Sequence, residues 1–438
     1  MSSESAPMDP DLVKPKARPA WRYYVLGLFT LAYAFGHVDR SIVGVLLPAI
    51  RREFAVSDAA LAFLSGLAFA IFFVLLGIPI AVLADRGNRR RIAALSVALW
   101  SAMTAICGVA GSFAQLLAAR IGVGVGEAGL TPPTHSMLSD LFPPKQRAFA
   151  IGVYSAGVYL GVLVGFALGG FLVQHLGWRR TFFVVGLPGL AVAALIQFTV
   201  AEPERGHSDD ELSHLTTYSG LGEVLRHLWY TRSLRYALLG IALCAMANQT
   251  QGVWLPSFLV RSHHLSIAKA GLLLGLAAGV GGAAGTIAGG RLSDVLGMRD
   301  ERWRLWVASV AMLLTPFCSV AVLFVHNVVI LAITMTLGAA LSAVHLAPTA
   351  AVIQNLTPLR MRARAAAIAI FIINLLGLGV GPLIVGSLSD YLRPILGAES
   401  LRYALTPVIL FALLSAPIYF LAGRALGARA GAARGGAA

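Results

Sequence analysis

The sequence predicts an all-α membrane protein of about twelve transmembrane helices, arranged as two pseudo-symmetric six-helix bundles. Of its 438 residues, 58% are hydrophobic and only 12% charged, whereas soluble domains run at roughly 45–50% and 25%. Apolar runs recur along the whole chain, each close to the ~20 residues needed to cross a ~30 Å hydrocarbon core. Short motifs of the first half reappear in the second. In hydrocarbon only helices and closed barrels satisfy every backbone N–H and C=O. A barrel would show short alternating segments, not uninterrupted runs such as Leu61 to Ile80.

The spans fall at roughly 23–47, 59–83, 92–111, 114–139, 148–172, 180–200, 234–260, 268–293, 304–325, 327–354, 363–389 and 403–424. With the N-terminus cytoplasmic, 24 Lys and Arg lie on the cytoplasmic side, 8 on the external side and 2 inside helices, which accounts for all 34. That asymmetry follows the positive-inside rule and places both termini in the cytoplasm. The formal charge of +14 therefore needs no nucleic acid to explain it, although basic patches of that size can bind phosphate backbones. The first apolar run is too long, and lacks the small-residue cleavage site, for a removable signal peptide, so the first span is expected to be the insertion signal. Thirty Arg against four Lys point to a GC-rich bacterial genome and hence to the inner membrane. Cys107, Cys244 and Cys318 each sit inside a span, far apart, without disulfide or zinc spacing. His263 and His264 are adjacent but have no carboxylate or cysteine beside them. No metal or cofactor is expected.

Residues 1–22 read as a cytoplasmic tail, 23–200 as the first bundle, 201–233 as a polar linker, 234–424 as the second bundle and 425–438 as a flexible tail. Within the linker, Leu221 to Tyr230 has apolar residues at helical spacing and is expected to lie on the membrane surface. Leu83-Ala84-Asp85-Arg86 ends the second span and Leu292-Ser293-Asp294 ends the eighth. Leu141-Phe142-Pro143 with Arg147 recurs, 215 positions on, as Leu356-Thr357-Pro358 with Arg362. Parallel repeats of this kind build transporters whose site lies between the halves near the membrane midplane.

A charge at the bilayer centre costs roughly 2.5–3.5 kcal/mol on insertion scales, so such residues normally face a cavity and act there. This chain has four: Asp39 and Arg40 in the first span, Arg120 and Glu127 in the fourth. Arg120, Gly124 and Glu127 fall on one face of a helix. At ~1.5 Å per residue, Asp39 lies roughly 12 Å deep, Arg120 roughly 9 Å and Glu127 roughly 20 Å. Asp39 and Arg40 point about 100° apart, which leaves open whether Arg40 reaches Glu127 or a substrate. The repeat carries Asp39 and Arg40 onto Ala247 and Asn248, or onto Asn248 and Gln249, and it carries Arg120 and Glu127 onto Met335 and Ser342. The charges thus belong to the first half alone, which suggests ion coupling there and a mostly neutral substrate wall opposite. Asp39 and Glu127 are the candidate proton-coupling residues. Arg40 and Arg120 would alternately hold these carboxylates or an anionic headgroup, which suits the guanidinium fork. The alternative is a salt-bridge network that only fixes helix register.

Asn248, Gln251, His345 and Asn374 are candidate substrate contacts in the second half, with Tyr154, Tyr159 and Trp254 as aromatics that could line an amphiphile's path. Asp85, Arg86 and Arg89 with the repeat-related Asp294 form a candidate cytoplasmic latch between the halves. Gly122-x-Gly124-x-Gly126 imitates a phosphate loop, but inside an apolar helix it reads as close helix packing.

The stretch from Ala81 to Arg90, with Asp85 and Arg86 at its centre, resembles the loop motif of the major facilitator superfamily. The series Gly152, Gly161, Gly165-Phe166 and Gly169-Gly170 is similar to that superfamily's antiporter motif. His37-Val38-Asp39-Arg40, Arg120 to Ala128, Pro132-Pro133-Thr134 and Ser139-Asp140 resemble the Spinster subfamily of lysolipid and sphingolipid transporters. The resemblance implies a transporter of lysolipid-like or sphingolipid-like amphiphiles; with the carboxylates of Asp39 and Glu127 the chain reads as a proton-coupled antiporter or exporter of anionic amphiphiles working by alternating access, expected to be a monomer. A small organic anion or drug is the alternative cargo. An intramembrane enzyme built on Glu127, His135 and His345 is the alternative of another class, but no nucleophile–base pair or metal spacing accompanies them.

Overall fold

A computed structural model describes residues 19–204 and 220–435. Twelve long helices run through them. They are α1 (Pro19–Phe54), α2 (Asp58–Ala62, the π-helical turn Phe63–Leu67, then Ala68–Arg86), α3 (Arg89–Cys107), α4 (Phe113–Glu127 and Thr131–Leu141), and α5 and α6 (144–176 and 178–199). After a surface helix, Leu221–Tyr230, come α7 (Arg232–Arg261), α8 (Ile267–Gly275, π-helical Leu276–Gly281, then Gly282–Gly297) and α9 (Trp303–Phe324). α10 (Val328–Ala343 and Leu346–Leu356), α11 (Arg362–Ile372, π-helical Ile373–Val380, then Gly381–Leu396) and α12 (Thr406–Gly435) complete the second half. Both described ends lie on one face of the molecule, the terminal face, because the number of crossings is even. The turn at residues 55–57 lies on the opposite, distal face.

Seven helical stretches are by themselves long and apolar enough to cross a membrane, and two of these, Pro144–Thr199 and Arg364–Arg429, are long enough to do so twice. The helices left over are α1, α4 and α7. α1 and α4 carry the four intramembrane charges and α7 carries Asn248, Gln249 and Gln251, so the spans that look least like lipid-facing helices are those with something other than lipid to meet.

Local chemistry sets the breaks. Gly177 holds φ at 78° and turns α5 directly into α6, a conformation glycine adopts without steric cost. In α4, Pro132 and Pro133 lack N–H groups and cannot continue the helix through the preceding turn, so its first segment stops at Glu127. Ser57, Asn88, Ser112, Ser266 and Asn327 each accept a backbone N–H at a helix start, satisfying donors that have no partner within the helix.

The repeat extends to individual hydrogen bonds. Arg147 donates Nε–H to the carbonyl of Phe142 at 3.2 Å, and Arg362 does the same to Thr357 at 3.1 Å. The surface helix forms over the expected residues and packs Val224 and Leu228 against Leu234, Ile353 and Ala365. α12 continues to Gly435, so the backbone of 425–435, expected as a flexible tail, is helical. Of the tail expected at 1–22, residues 19–22 already belong to α1, while residues 1–18, most of the linker (205–219) and residues 436–438 fall outside the described residues.

The halves meet on the distal side. One apolar cluster joins Leu46, Leu61 and Phe182 of the first half to Trp254, Phe258 and Val385 of the second. Toward the terminal face the cores separate, one around Phe29, Trp100 and Phe142, another around Leu305, Met312 and Tyr419. Backbones touch at the join: a Cβ on Gly44 would stand 2.8 Å from the carbonyl oxygen of Gly252, and one on Gly66 would stand 2.0 Å from that of Leu378. Gly66 and Leu378 both sit in π-helical segments. Beside the join, Glu53 accepts from the Trp178 indole at 2.7 Å and from Arg179 at 2.5 Å, pinning the end of α1 to the start of α6. The Arg179 guanidinium holds the Glu53 carboxyl below the usual carboxylate range.

The backbone contact at Gly66 generates a test. Gly66→Ala pushes the halves apart distally, and spin-label distances between the α3–α4 turn and the α9–α10 turn shift to longer values. Gly27→Ala, where a Cβ meets nothing within 4 Å, leaves the distribution unchanged.

Candidate functional site

α1 and α4 bring the four intramembrane charges together as two neutral pairs. Arg120 donates Nη1–H to Asp39 Oδ2 at 2.6 Å, and the Thr104 hydroxyl of α3 donates to Asp39 Oδ1 at 2.8 Å. Two turns further along α4, Glu127 Oε2 accepts Nε–H from Arg40 at 2.6 Å. The question left open by the sequence is thereby answered: adjacent positions in α1 point to different partners, both on α4. Such charge-assisted contacts are short and roughly twice as strong as neutral hydrogen bonds.

The two pairs differ in access. Asp39 and Arg120 are 2% and 1% exposed, sealed inside the first bundle, while the Arg40 side chain keeps 21%. Arg40 lies over Phe69 and Phe73 of α2 at 4.8 Å from each ring centre, a cation–π arrangement worth about 0.5–2 kcal/mol. Leu378 of the second half packs into the same cluster as these rings, which places the Arg40 pair at the border between the halves. Glu127 ends the first segment of α4, where the helix dipole opposes a negative charge, so its ionised form leans on Arg40. Its second oxygen, Oε1, is buried without a hydrogen-bond partner. The two Nη groups of Arg40 likewise make no bond to the described residues. A proton acceptor with a vacant lone pair thus sits beside a guanidinium with spare donors.

The repeat-related position in the second half is neutral but similarly joined. Asn248 donates Nδ2–H to the carbonyl of Ser342 at 3.4 Å, which matches the Arg40–Glu127 contact position for position. The other candidates there are occupied elsewhere. His345 is buried with Nδ1 at 2.7 Å from the Ser342 carbonyl, and Asn374 donates to Ile370 of its own helix at 2.9 Å. Gln251 lines a small crevice with Leu255 of α7, Ser319 of α9 and Val408 of α12; a short way round α7 from Asn248, it turns into the second bundle rather than toward the first. Tyr154 stacks on Tyr33 at 4.4 Å, and Trp254 donates to Pro382 at 2.9 Å. Both are packing residues. Tyr159 bonds Thr286 across the two halves.

The expected latch is divided by the structure. Arg89 is 1% exposed and bonds Asp140, Ser136 at 2.8 Å, Glu202 at 2.8 Å and the Pro203 carbonyl at 2.6 Å. All of these partners precede the linker helix, so Arg89 clamps the ends of α3, α4 and α6 within the first half rather than reaching the second. Arg86 and Asp294 are exposed. The side chain of Asp85 lies outside the described residues.

Sequence reasoning missed the distal counterpart of a latch. Asp58, fully buried at the start of α2, accepts from Arg261 of α7 at 2.8 and 2.9 Å, from Arg393 of α11 at 2.5 Å and from Ser389 at 2.8 Å. Asp390 of α11 in turn accepts the backbone N–H groups of Asp58 and Ala59 at 2.9 and 2.8 Å. The available signal was the set of arginines on the side where the charge rule expects few. The Phe69–Phe73 platform was also legible, as two aromatics one turn apart in α2.

Twelve helices in two repeats, joined distally and carrying paired charges in one half, define a polytopic membrane transporter and not an enzyme. The chain belongs to the Major Facilitator Superfamily, whose family model matches residues 29–382. It is similar to an MFS-type efflux pump of Mycolicibacterium smegmatis, 32% identical over 96% of this chain and 97% of that protein. It is also similar to the zebrafish (Danio rerio) sphingosine-1-phosphate transporter SPNS2, 27% identical over 84% and 76%. Among solved structures, a bacterial homologue of the human lysosomal transporter Spinster, in an inward-facing and unoccupied conformation, superposes with a TM-score of 0.85 at 31% identity, covering 94% and 98% of the two chains. Within the superfamily the likeness is thus to the Spinster branch.

The sealed pair gives a stability prediction. Arg120→Leu strands the Asp39 carboxylate and destabilises the protein by roughly 3–5 kcal/mol, read as a lower melting temperature in detergent. Adding Asp39→Asn recovers most of the loss.

Proposed function

We propose that the chain is a proton-coupled secondary transporter of anionic amphiphiles, lysophospholipid-like or sphingolipid-like, working by alternating access. The observation that carries this reading is the state of Arg40: one donor is committed to Glu127, the others are free, and an aromatic face lies beneath it. Protonation of Glu127 removes the charge that holds Arg40 and leaves the guanidinium to grip a phosphate or carboxylate. An anion therefore binds best when the proton is present, and release of one favours release of the other. Asp39, held by Arg120 and Thr104, is the second and less accessible proton site, and its pair keeps α1 and α4 in register while Arg40 changes partner. Phe69 and Phe73 offer an apolar surface beside the charge, as an amphiphile requires. The name of the SPNS2 relative, a sphingosine-1-phosphate transporter, supports the same cargo class.

In this reading the first bundle, 23–200, couples the ion and the second, 234–424, supplies a mainly neutral wall, with Asn248 facing the relay's repeat position. The terminal face is cytoplasmic, the membrane is a bacterial inner membrane, and the protein works as a monomer. A small organic anion or a drug is the second reading, favoured by the near full-length similarity to the efflux pump. Both cargoes would use Arg40.

Reconstitution into liposomes with an imposed pH gradient tests the proposal, with lysophospholipids and small anions assayed in parallel. Glu127→Gln abolishes gradient-driven accumulation, at least tenfold below the native protein, while gradient-free exchange of cargo persists. Full gradient-driven uptake by that variant sinks the coupling role of Glu127. Arg40→Lys keeps the charge but loses the planar fork, and it raises KM for an anionic cargo more than it lowers kcat.

A further inference from the structure

On the distal face the two halves enclose a cavity of about 710 Å³, walled by the end of α1, the 55–57 turn, and the distal ends of α7 and α11. Four arginines line it: Arg51 and Arg52 from the first half, Arg261 and Arg393 from the second. The acidic groups nearby are already committed. Asp58 lies buried and shares its single charge among Arg261, Arg393 and, at 3.4 Å, Arg51. Asp390 accepts two backbone N–H groups and pairs with Arg393 at 3.5 Å, Glu53 is held by Arg179, and Glu399 pairs with Arg402 at 2.7 Å. Arg52 has no ion pair among the described residues. Four guanidiniums therefore meet two carboxylates, leaving an excess of two positive charges divided across the joint between the halves. The turn that follows Arg51 and Arg52 at the end of α1 is maintained against a local backbone preference, since Ala55 holds φ at 48°, where a side chain with a Cβ is disfavoured.

We propose that this cavity is a second anion site, separate from the Asp39–Glu127 cluster, which takes a phosphoryl oxyanion between the arginines of the two halves and thereby holds the distal face closed. The volume suits a small ligand or a headgroup, and guanidinium forks match phosphate oxygens bidentately. Direction follows from geometry. Arg51 and Arg52 move with one half and Arg261 and Arg393 with the other, so the four converge only while the distal face is shut. An anion binds that state more tightly and shifts the population toward it, and closure in turn raises its affinity. With the distal face external, as in the orientation proposed above, an external anion bound there would restrain outward opening. The binding claim itself stands without that orientation.

The test uses the full chain in nanodiscs. In one arm the lipid is phosphatidylcholine and inorganic phosphate is titrated at constant ionic strength. In the other arm phosphatidylglycerol replaces part of the lipid and no phosphate is present. Calorimetry reads phosphate binding, and spin-label distances between the α3–α4 and α9–α10 turns read closure in both arms. Saturable phosphate binding with a growing closed fraction supports a soluble ligand, and closure by phosphatidylglycerol alone supports a lipid headgroup. The double variant Arg51→Gln/Arg52→Gln leaves Asp58 with Arg261 and Arg393, and it raises the phosphate midpoint, or the phosphatidylglycerol content needed, at least tenfold. Arg52→Gln alone, at a side chain without an ion pair, shifts the midpoint the same way by a smaller factor. The proposal is overturned if neither anion binds or moves the distances, if the anion favours the open face, or if both variants respond as the native protein does.

Discussion

Charges removed from water persist only when neutralised, and the first half of this transporter is arranged around that constraint. Asp39 and Glu127 could not sit as carboxylates inside a helical bundle without Arg120 and Arg40 beside them, because the desolvation penalty of each ion is several kcal/mol. Both arginine contacts join α1 to α4, so the same two pairs that satisfy the electrostatics also fix how these helices face each other. Thr104 adds α3 to the set, and the Phe69–Phe73 platform adds α2. Four helices of one bundle are thus tied to one neutral cluster, whereas the repeat-related place in the second bundle has a single weak contact between Asn248 and the Ser342 carbonyl.

The difference in solvent access within the cluster ranks the two pairs. In this conformation a pair sealed within the bundle, like Asp39 with Arg120, has no open route by which water or substrate can compete for its partners. Arg40 has such a route, at the border between halves whose cores join distally and part toward the terminal face. In the proposed cycle the partly exposed pair would be the group that is held in one state and released in another.

Much of this was legible in the residues because hydrocarbon is an unforgiving solvent. Span length, the loop charge asymmetry and the polar linker follow directly from what a bilayer tolerates, and the recurrence of Phe142-Pro143 with Arg147 as Thr357-Pro358 with Arg362 exposed the repeat that the structure extends to matching hydrogen bonds. The four site charges stood out for the same reason. What the sequence left undecided was which side chain meets which, since helical spacing fixes angles within a helix and not the rotation of one helix against another. Arg89 shows the limit. Its place in a loop motif suggested a partner in the other half, but the nearest carboxylates, Asp140 and Glu202, come from α4 and the stretch after α6. Asp58 was overlooked because an acidic residue just outside a span normally faces water, and only the tertiary structure brings Arg261 and Arg393, more than 200 positions away in sequence, onto it.

The glycines at the joint carry a mechanical implication. Where Gly44 meets Gly252 and Gly66 meets Leu378, main chain lies against main chain, beside the patch where side chains such as Leu61 and Trp254 pack between the two bundles. At those points the bundles can part and re-form without unlocking rotamers, and the ion pairs around Asp58 add to what the apolar cluster holds. A carrier built this way gains a low-friction hinge and leaves the timing of each cycle to chemistry.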